Sequence, residues 1–303
     1  VPEGTTVLQA AARLGVEIPT LCWREGLAPS ASCMVCVVQV AGRAGLVPAC
    51  ATPVADGMVV ASETEEVHAA RRTALELLLA DHRGDCVAPC QLACPAGLDI
   101  PRMNRLLAGG RRAEAAAIVR QAPSPPPCET CDGRCEKACR RGLADGAVSI
   151  RRLVQFVRGA AGDSAGKMPA TRAGSTPAAR PWSVHVGRPT EEEMRAFLAE
   201  GRTAPRGEPA DGERFSADEA RREAARCLHC DCRKPVACAL RSWGRRYGAD
   251  PRRFRTPPRT FTQDRRHGEI IYEPGKCIAC GLCVQIAQRA GEELGLTFVG
   301  RGF

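Results

Sequence analysis

The sequence predicts an α+β multidomain protein in which metal replaces part of the hydrophobic core. Three observations carry that expectation. The 303 residues leave room for two or three domains, yet they hold 18 Cys against 3 Trp, 2 Tyr and 7 Phe. Two cysteine triplets repeat at one spacing, Cys86-x3-Cys90-x3-Cys94-Pro95 and Cys131-x3-Cys135-x3-Cys139, with Cys128 just ahead of the second. Strand-like segments sit near the N-terminus, whereas the rest of the chain reads as helices and loops.

A lone Cys is usually a small buried hydrophobe, but two matched triplets have no such explanation. Disulfides are the alternative, disfavoured by Cys-x2-Cys pairs of metal-binding spacing and by the lack of a signal peptide. No apolar run approaches a membrane span, so a reducing cytoplasm is the expected compartment. The opening at Val1-Pro2-Glu3-Gly4, without a start Met, suggests a natural beginning further upstream. Net charge is +9, but only four of the 43 basic residues are Lys. That Arg excess is as readily a genome-composition effect as a binding surface. Nucleic-acid binding is not expected, because no element pairs basic with aromatic residues. An acidic protein partner suits the charge better.

In residues 1–80, Val7 to Ala12 reads as a short helix and Met34 to Val40 as a strand; Asp56-Gly57 turns into another strand. Cys22, Cys33, Cys36 and Cys50, two of them close together in a loop, suit a [2Fe–2S] rhomb. A structural zinc is the plainer alternative, but such sites usually pair two Cys-x2-Cys knuckles and only one occurs here. Ser62-x-x-Glu65 predicts a capping box, and its helix should run to about Ala80 on a buried stripe of Leu75, Leu78 and Leu79. The motifs Ala31-Ser32-Cys33-Met34-Val35-Cys36, Ala49-Cys50-Ala51-Thr52-Pro53 and Asp56-Gly57-Met58-Val59-Val60 resemble, in order, the ferredoxin domain that opens the large iron–sulfur subunit of NADH dehydrogenase. Soluble NAD-linked hydrogenases and formate dehydrogenases carry similar domains. The resemblance implies a β-grasp whose first strand would precede Val1. It also implies that His82, directly after the helix, ligates a [4Fe–4S] cluster. The plainer reading is a helix-terminal His favoured by the macrodipole.

Residues 81–158 pose a geometric question. A straight helical triplet would separate its outer sulfurs by about 12 Å, too far for one cubane. Either each triplet bends, at Pro89 and Gly133, or each is split between two clusters. The Cys94-Pro95 pair favours splitting, because the Cys before Pro in two-cluster ferredoxins ligates the other cluster. Between the triplets, residues 99–108 and 111–121 read as two helices broken at Gly109-Gly110, and residues 148–157 as a third. The segments Cys90-Gln91-Leu92-Ala93-Cys94-Pro95 and Cys135-Glu136-Lys137-Ala138-Cys139-Arg140 resemble the N-terminal domain of the glutamate synthase small subunit and of dihydropyrimidine dehydrogenase. That resemblance implies a helical domain with two [4Fe–4S] clusters. One would take Cys86, Cys90 and Cys139 with His82 or another donor. The other would take Cys94, Cys131 and Cys135 with Gln155, for which Cys128 competes.

Residues 159–189, rich in Gly, Ala, Pro and Ser, read as a flexible linker. Residues 190–303 form a C-terminal Cys-rich region. In it Thr190-x-x-Glu193 and Ser216-x-x-Glu219 cap helices, the second delivering Cys227 and Cys230. Residues 217–230 also resemble the tail of glutamate synthase-like flavoproteins. Cys227, Cys230, Cys232 and Cys238 are expected to hold a cluster or zinc. Cys277-x2-Cys280-x2-Cys283 is the ferredoxin cubane spacing without its fourth Cys, Ala287 standing where one might follow. No Gly-x-Gly-x-x-Gly follows a strand, so no flavin or NAD(P) site and no catalytic residue are expected. The function expected is electron transfer through one [2Fe–2S] and two to three or more [4Fe–4S] clusters. It would link a separate flavoprotein that oxidises NAD(P)H to a second redox subunit. A glutamate synthase- or dihydropyrimidine dehydrogenase-like enzyme is the rival, and a zinc-rich interaction module the second.

Overall fold

In the computed structural model the chain divides into two units. The structure describes all residues except 125, 127, 160–181, 201–204, 208, 211, 213, 233–237, 255–258, 268–269, 293–294 and 298–303. Most of the stretch expected as a linker therefore lies outside the described residues.

The first unit joins Val1–His82 with Val236–Arg259 and Glu273–Phe303. It begins with the helix Val7–Arg13, closed by a Thr6/Gln9 capping box. Three short antiparallel strands follow, β1 (Val37–Val40), β2 (Leu46–Pro48) and β3 (Val60–Ala61), with β1 central. Val38 faces Val47, and Val40 faces Val60. Val7, Leu8, Ile18, Val38 and Ala49 form a core that also takes in Cys36 and Cys50. The helix Glu65–Ala80 ends where expected, but its cap is Thr64, whose hydroxyl accepts from the Val67 amide, and not Ser62. Thr64 directly precedes the first helical residue and leaves Glu65 and Glu66 in the first turn, where the helix dipole favours acids. Leu75 and Leu79 are buried as expected; so are Arg71 and Glu76. Their partners come from far along the chain. Arg71 donates to the Val37 carbonyl and the Tyr247 hydroxyl, while Glu76 accepts from the Asp250 amide and Arg253.

The second unit joins Arg83–Pro235 with Thr260–Tyr272. The helices Ile100–Ala108, Arg112–Arg120, Ile150–Gly159 and Ala217–Ala224 enclose its core of Ile100, Met103, Leu107, Ile118, Leu153, Val154 and Ala220. Asp99 caps the first of them, and Gly110, at φ 74°, makes the turn into the next. The residues following the undescribed stretch are packed: Val184 and Val186 are buried, the Val184 carbonyl accepts from Cys86 and the Val186 amide donates to Asp85. Alternate valines give this segment an apolar side to bury, which the composition of the whole stretch concealed. The helix Glu191–Glu200 follows. Its Glu193, 1% exposed, accepts both nitrogens of an Arg83 fork at 2.7 and 2.9 Å.

Residues 190–303 thus contribute to both units. The physical reason is the pairing just described: Tyr247 and Asp250 satisfy buried charges of the first unit, and the helix Ala217–Ala224 completes the core of the second.

Candidate metal centres

In the first unit Cys22, Cys33, Cys36 and Cys50 are all buried. The loop that brings them together bends through Ala31 at φ 48° and Met34 at φ 53°. Left-handed backbone at non-glycine residues costs energy and marks a loop held by its surroundings. The four thiols share protons. Hydrogen bonds from Cys33 and Cys50 push the Cys22 thiol far down, and one from Cys50 lowers Cys36 to about 7. The two donors are pushed up in turn. Thiolate is the metal-binding form, and the hydrogen bonds among these four thiols favour it at Cys22 and Cys36.

In the second unit each triplet bends, at the two residues the sequence suggested. Pro89 opens the five-residue helix Pro89–Ala93, and Gly133, at φ 74°, precedes the turn Arg134–Lys137. In both, the middle Cys lies on the helix and the last lies just beyond it in extended backbone. Cys94 has φ −69°, ψ 121° and Cys139 has φ −71°, ψ 118°. The two turns pack together, and their thiols sort into two groups. The thiols that bear on Cys90 are Cys227, Cys139 and Cys230, then Cys135. Those that bear on Cys135 are Cys94 and Cys128, after Glu136.

Cys90, Cys139, Cys227 and Cys230 make the first candidate group, and Cys135 also lies near Cys90. The helix Ala217–Ala224 delivers Cys227 and Cys230, and an isolated parallel bridge from Asp85 to Asp231 holds them. Arg105 grips Asp231 bidentately at 2.9 and 2.8 Å, and Arg140 pairs with the buried Asp85. Burial pushes the Cys90 and Cys230 thiols up, Cys230 against the pull of Arg140, and raises Cys227 to about 11. The Asn104 amide is wholly buried and makes no hydrogen bond of normal geometry. It nonetheless bears on the Cys227 thiol, which it pulls down. An orphaned amide against buried sulfur fits a thiolate-bound cluster, whose sulfurs accept such hydrogen bonds.

The second group is Cys94, Cys128 and Cys135, with Cys131 beside Cys128. Burial raises Cys128 to about 11 and Cys135 to about 12. Gln155 stands apart. It lines two polar clefts, one with Glu136, Arg151 and Arg206, the other with Glu129, Arg158 and Arg214, and neither lining includes a thiol. Its helix buries Ile150, Leu153, Val154, Phe156 and Val157, which turns position 155 outward. Cys128, the spare donor that competes with Gln155 in the sequence, is buried, with Cys94 and Cys131 among its neighbours.

Other expected ligands are distributed differently. Cys86 is buried next to the Asp85–Asp231 bridge, and Cys232 directly follows that bridge. Cys238 begins the helix Ala239–Arg246 of the first unit. His82 also belongs to the first unit, where burial lowers its imidazole pKa and a backbone hydrogen bond links its ring to Lys276. Cys277, Cys280 and Cys283 lie on a loop that turns through Ala279 at φ 51° and Gly281 at φ 80° into the helix Leu282–Arg289. The Cys277 sulfur accepts the Ala279 amide at 3.4 Å, and the Cys280 carbonyl accepts the Ser30 hydroxyl at 3.1 Å. Among the described residues no group of three or more His, Cys, Asp or Glu closes around a single metal ion.

Residues 1–65 match the family described as 2Fe-2S iron-sulfur cluster binding domain, and residues 61–165 match dihydropyrimidine dehydrogenase domain II, 4Fe-4S cluster. The chain is 41% identical over 160 residues to the NADP-reducing hydrogenase subunit HndD of Solidesulfovibrio fructosivorans, a match that covers 48% of this chain and 27% of that one. It is 42% identical over 86 residues to the NADH-ubiquinone oxidoreductase 75 kDa subunit of Reclinomonas americana, covering 28% and 12%. Over 120 residues it is 37% identical to the NADPH-Fe(3+) oxidoreductase subunit alpha of Geobacter sulfurreducens, covering 39% and 14%. The chain thus spans little more than a quarter, at most, of the length of these relatives. It carries a 2Fe–2S domain followed by a 4Fe–4S domain, the order the resemblances implied. Among the described residues no helix is long and apolar enough to cross a membrane.

Proposed function

We propose that the chain is a multi-cluster electron-transfer module linking a flavin-dependent NAD(P)H oxidoreductase to a second redox module in a reducing cytoplasm. The clustering of thiols, in three groups of four and one of three, carries the reading. Cys22, Cys33, Cys36 and Cys50 hold a [2Fe–2S] cluster in a β-grasp-type domain. Cys90, Cys139, Cys227 and Cys230 hold one [4Fe–4S] cluster; Cys94, Cys128, Cys135 and Cys131 hold another. Cys277, Cys280 and Cys283 hold a third. These sets keep the interleaving of the two triplets and take Cys227, Cys230 and Cys128 in place of Cys86, His82 and Gln155.

When bound, such clusters take up and release single electrons. The chain's own residues supply the setting. Burial shields Cys22, Cys33, Cys36, Cys50, Cys90, Cys128, Cys135 and Cys227 from water, Arg140 offsets negative charge at Cys230, and Asn104 offers a hydrogen bond near Cys227. The relatives named for NADP, NADPH and NADH chemistry support a place beside a separate flavoprotein.

Iron, sulfide and zinc analysis of anaerobically purified protein tests this directly. The expectation is a brown protein with about ten to fourteen irons, two plus four for each of two or three cubanes. A colourless, zinc-only preparation rules the reading out. The chain alone, given FAD or FMN, should reduce no dye from NADH or NADPH; turnover would favour the enzyme reading instead.

A further inference from the structure

The helix Ile100–Ala108 buries a stripe of Ile100, Met103, Asn104 and Leu107, residues spaced to share one face. Three of the four are apolar. The other is the only asparagine in the chain, and it is fully buried. Its Nδ2 and Oδ1 make no hydrogen bond of normal geometry among the described residues. A Leu at this position would continue the stripe, so an orphaned amide in its place calls for an explanation. Capping and turn formation, the usual tasks of Asn, do not apply in the middle of a helix.

The surroundings point to sulfur. This helix packs against the helix Ala217–Ala224, which leads into Cys227. Arg105, the next residue, forks onto Asp231 at 2.9 and 2.8 Å, so helix and cysteine loop are tied together one residue from the amide. Two hydrogen-bond donors favour the thiolate of Cys227, the Asn104 side chain and the His229 backbone N–H. A thiolate has no proton to give, so it takes the Nδ2 end of the amide.

We propose that Asn104 sets the reduction potential of the cluster held by Cys90, Cys139, Cys227 and Cys230, its Nδ2 donating to the Cys227 sulfur. The inference rests on that ligand set. An added electron makes the ligand sulfurs better acceptors, so a donor fixed against one of them stabilises the reduced state more than the oxidised one. Asn104 thereby raises the potential without adding a charge or moving a proton.

The test uses the full chain, purified anaerobically with its clusters and supplied with asparagine carrying 15N at the side-chain amide. Because the chain holds one Asn, the label reports a single residue. Pulsed EPR of the reduced protein should show a weak 15N coupling on one [4Fe–4S] signal, the one that Cys227→Ser removes. Redox titration of Asn104→Leu should place the midpoint of that signal lower. The oxidised-to-reduced ratio at a fixed potential should change about threefold to tenfold, tenfold being about 59 mV for one electron. Asn104→Gln, which keeps the amide, should lie nearer the wild type, and the other cluster signals should keep their midpoints. Absence of the 15N coupling in the wild type, an unmoved midpoint in Asn104→Leu, or an equal fall at every cluster overturns the proposal. Cys227→Ser separates the two levels. If it leaves every cluster signal intact, the ligand set is wrong and the Asn104 assignment falls with it. If it removes one signal, a missing coupling or shift overturns the role of Asn104 alone.

Discussion

The cysteines of residues 22–50 and those of the second unit meet the same demand at very different distances along the chain. In the first case one loop and one strand bring four thiols into a buried pocket within 29 residues of sequence. In the second, Cys90 and Cys139 meet Cys227 and Cys230 only because a helix from late in the chain returns. The local site closes through loop strain, at Ala31 and Met34. The assembled site relies on buried charge instead, with Asp85–Arg140 and Asp231–Arg105 fixing the returning segment. A short ligand span can be held by backbone shape alone, whereas a long one needs its own tertiary contacts.

The largest effect that could break this comparison is spectroscopic. Cys90→Ser and Cys227→Ser should each abolish one and the same [4Fe–4S] signal, with about four irons lost, although 137 positions separate them. Cys94→Ser should strike a different signal, and all three should spare the [2Fe–2S] signal. EPR of the reduced variants decides it; a common target for Cys90 and Cys94 would dissolve the two groups.

Next in size is buried charge. Arg226 is 1% exposed, pairs with the equally buried Glu223, and also donates to the Asp145 and Gly146 carbonyls. Arg226→Met leaves a buried carboxylate uncompensated, and about 3–5 kcal/mol should be lost. Urea unfolding should show the loss in the second unit's transition, with the [2Fe–2S] signal disappearing at an unchanged urea concentration.

Acid sharpens the contrast further. Burial alone would raise the Glu193 pKa, but the Arg83 fork and the Thr190 and Phe261 amides outweigh it and hold it below the ordinary 4.5. The unfolded chain therefore takes up this proton first as pH falls. The stabilisation is complete above the ordinary carboxylate value and disappears as pH drops through the lower folded one. Thermal unfolding from pH 6 to pH 3 should show this decline, and Glu193→Gln should flatten it. The smallest effect concerns the helix cap: Thr64→Ala should cost about 1 kcal/mol, Ser62→Ala less than about 0.5.

What the sequence disclosed follows the same division. The N-terminal quartet, the helix ends at Ala80 and Ala108, the Ser216 cap and the bends at Pro89 and Gly133 rest on local spacing or turn chemistry. They could be read because their causes lie within a few residues. Tyr247, which pairs with Arg71, and Asp250 and Arg253, which pair with Glu76, lie more than 170 residues away, and no local pattern announces them. The same holds for Cys227 and Cys230. Their own neighbourhood, with Cys232 and Cys238 close in sequence, suggested a self-contained site, while the helix before them was aimed at Cys90. One signal was available. The capping box at Ser216 and the apolar positions Ala220 and Ala224 mark a helix with a face to bury, and the cysteines at its end must go where that face goes. Cys128 gave no such signal, since spacing favoured Cys131.

The returning helix also sets a timetable for synthesis. A ribosome adds about 5–20 residues per second, so Cys227, 88 residues on, follows Cys139 by roughly four to eighteen seconds. During that interval Cys90 and Cys139 lack Cys227 and Cys230, whereas Cys22 to Cys50 have already emerged together. On the proposed ligand sets, iron delivery to the first site can accompany translation, whereas delivery to the second waits for the chain to come back, the step at which scarce iron or excess oxygen would first leave the protein half-assembled.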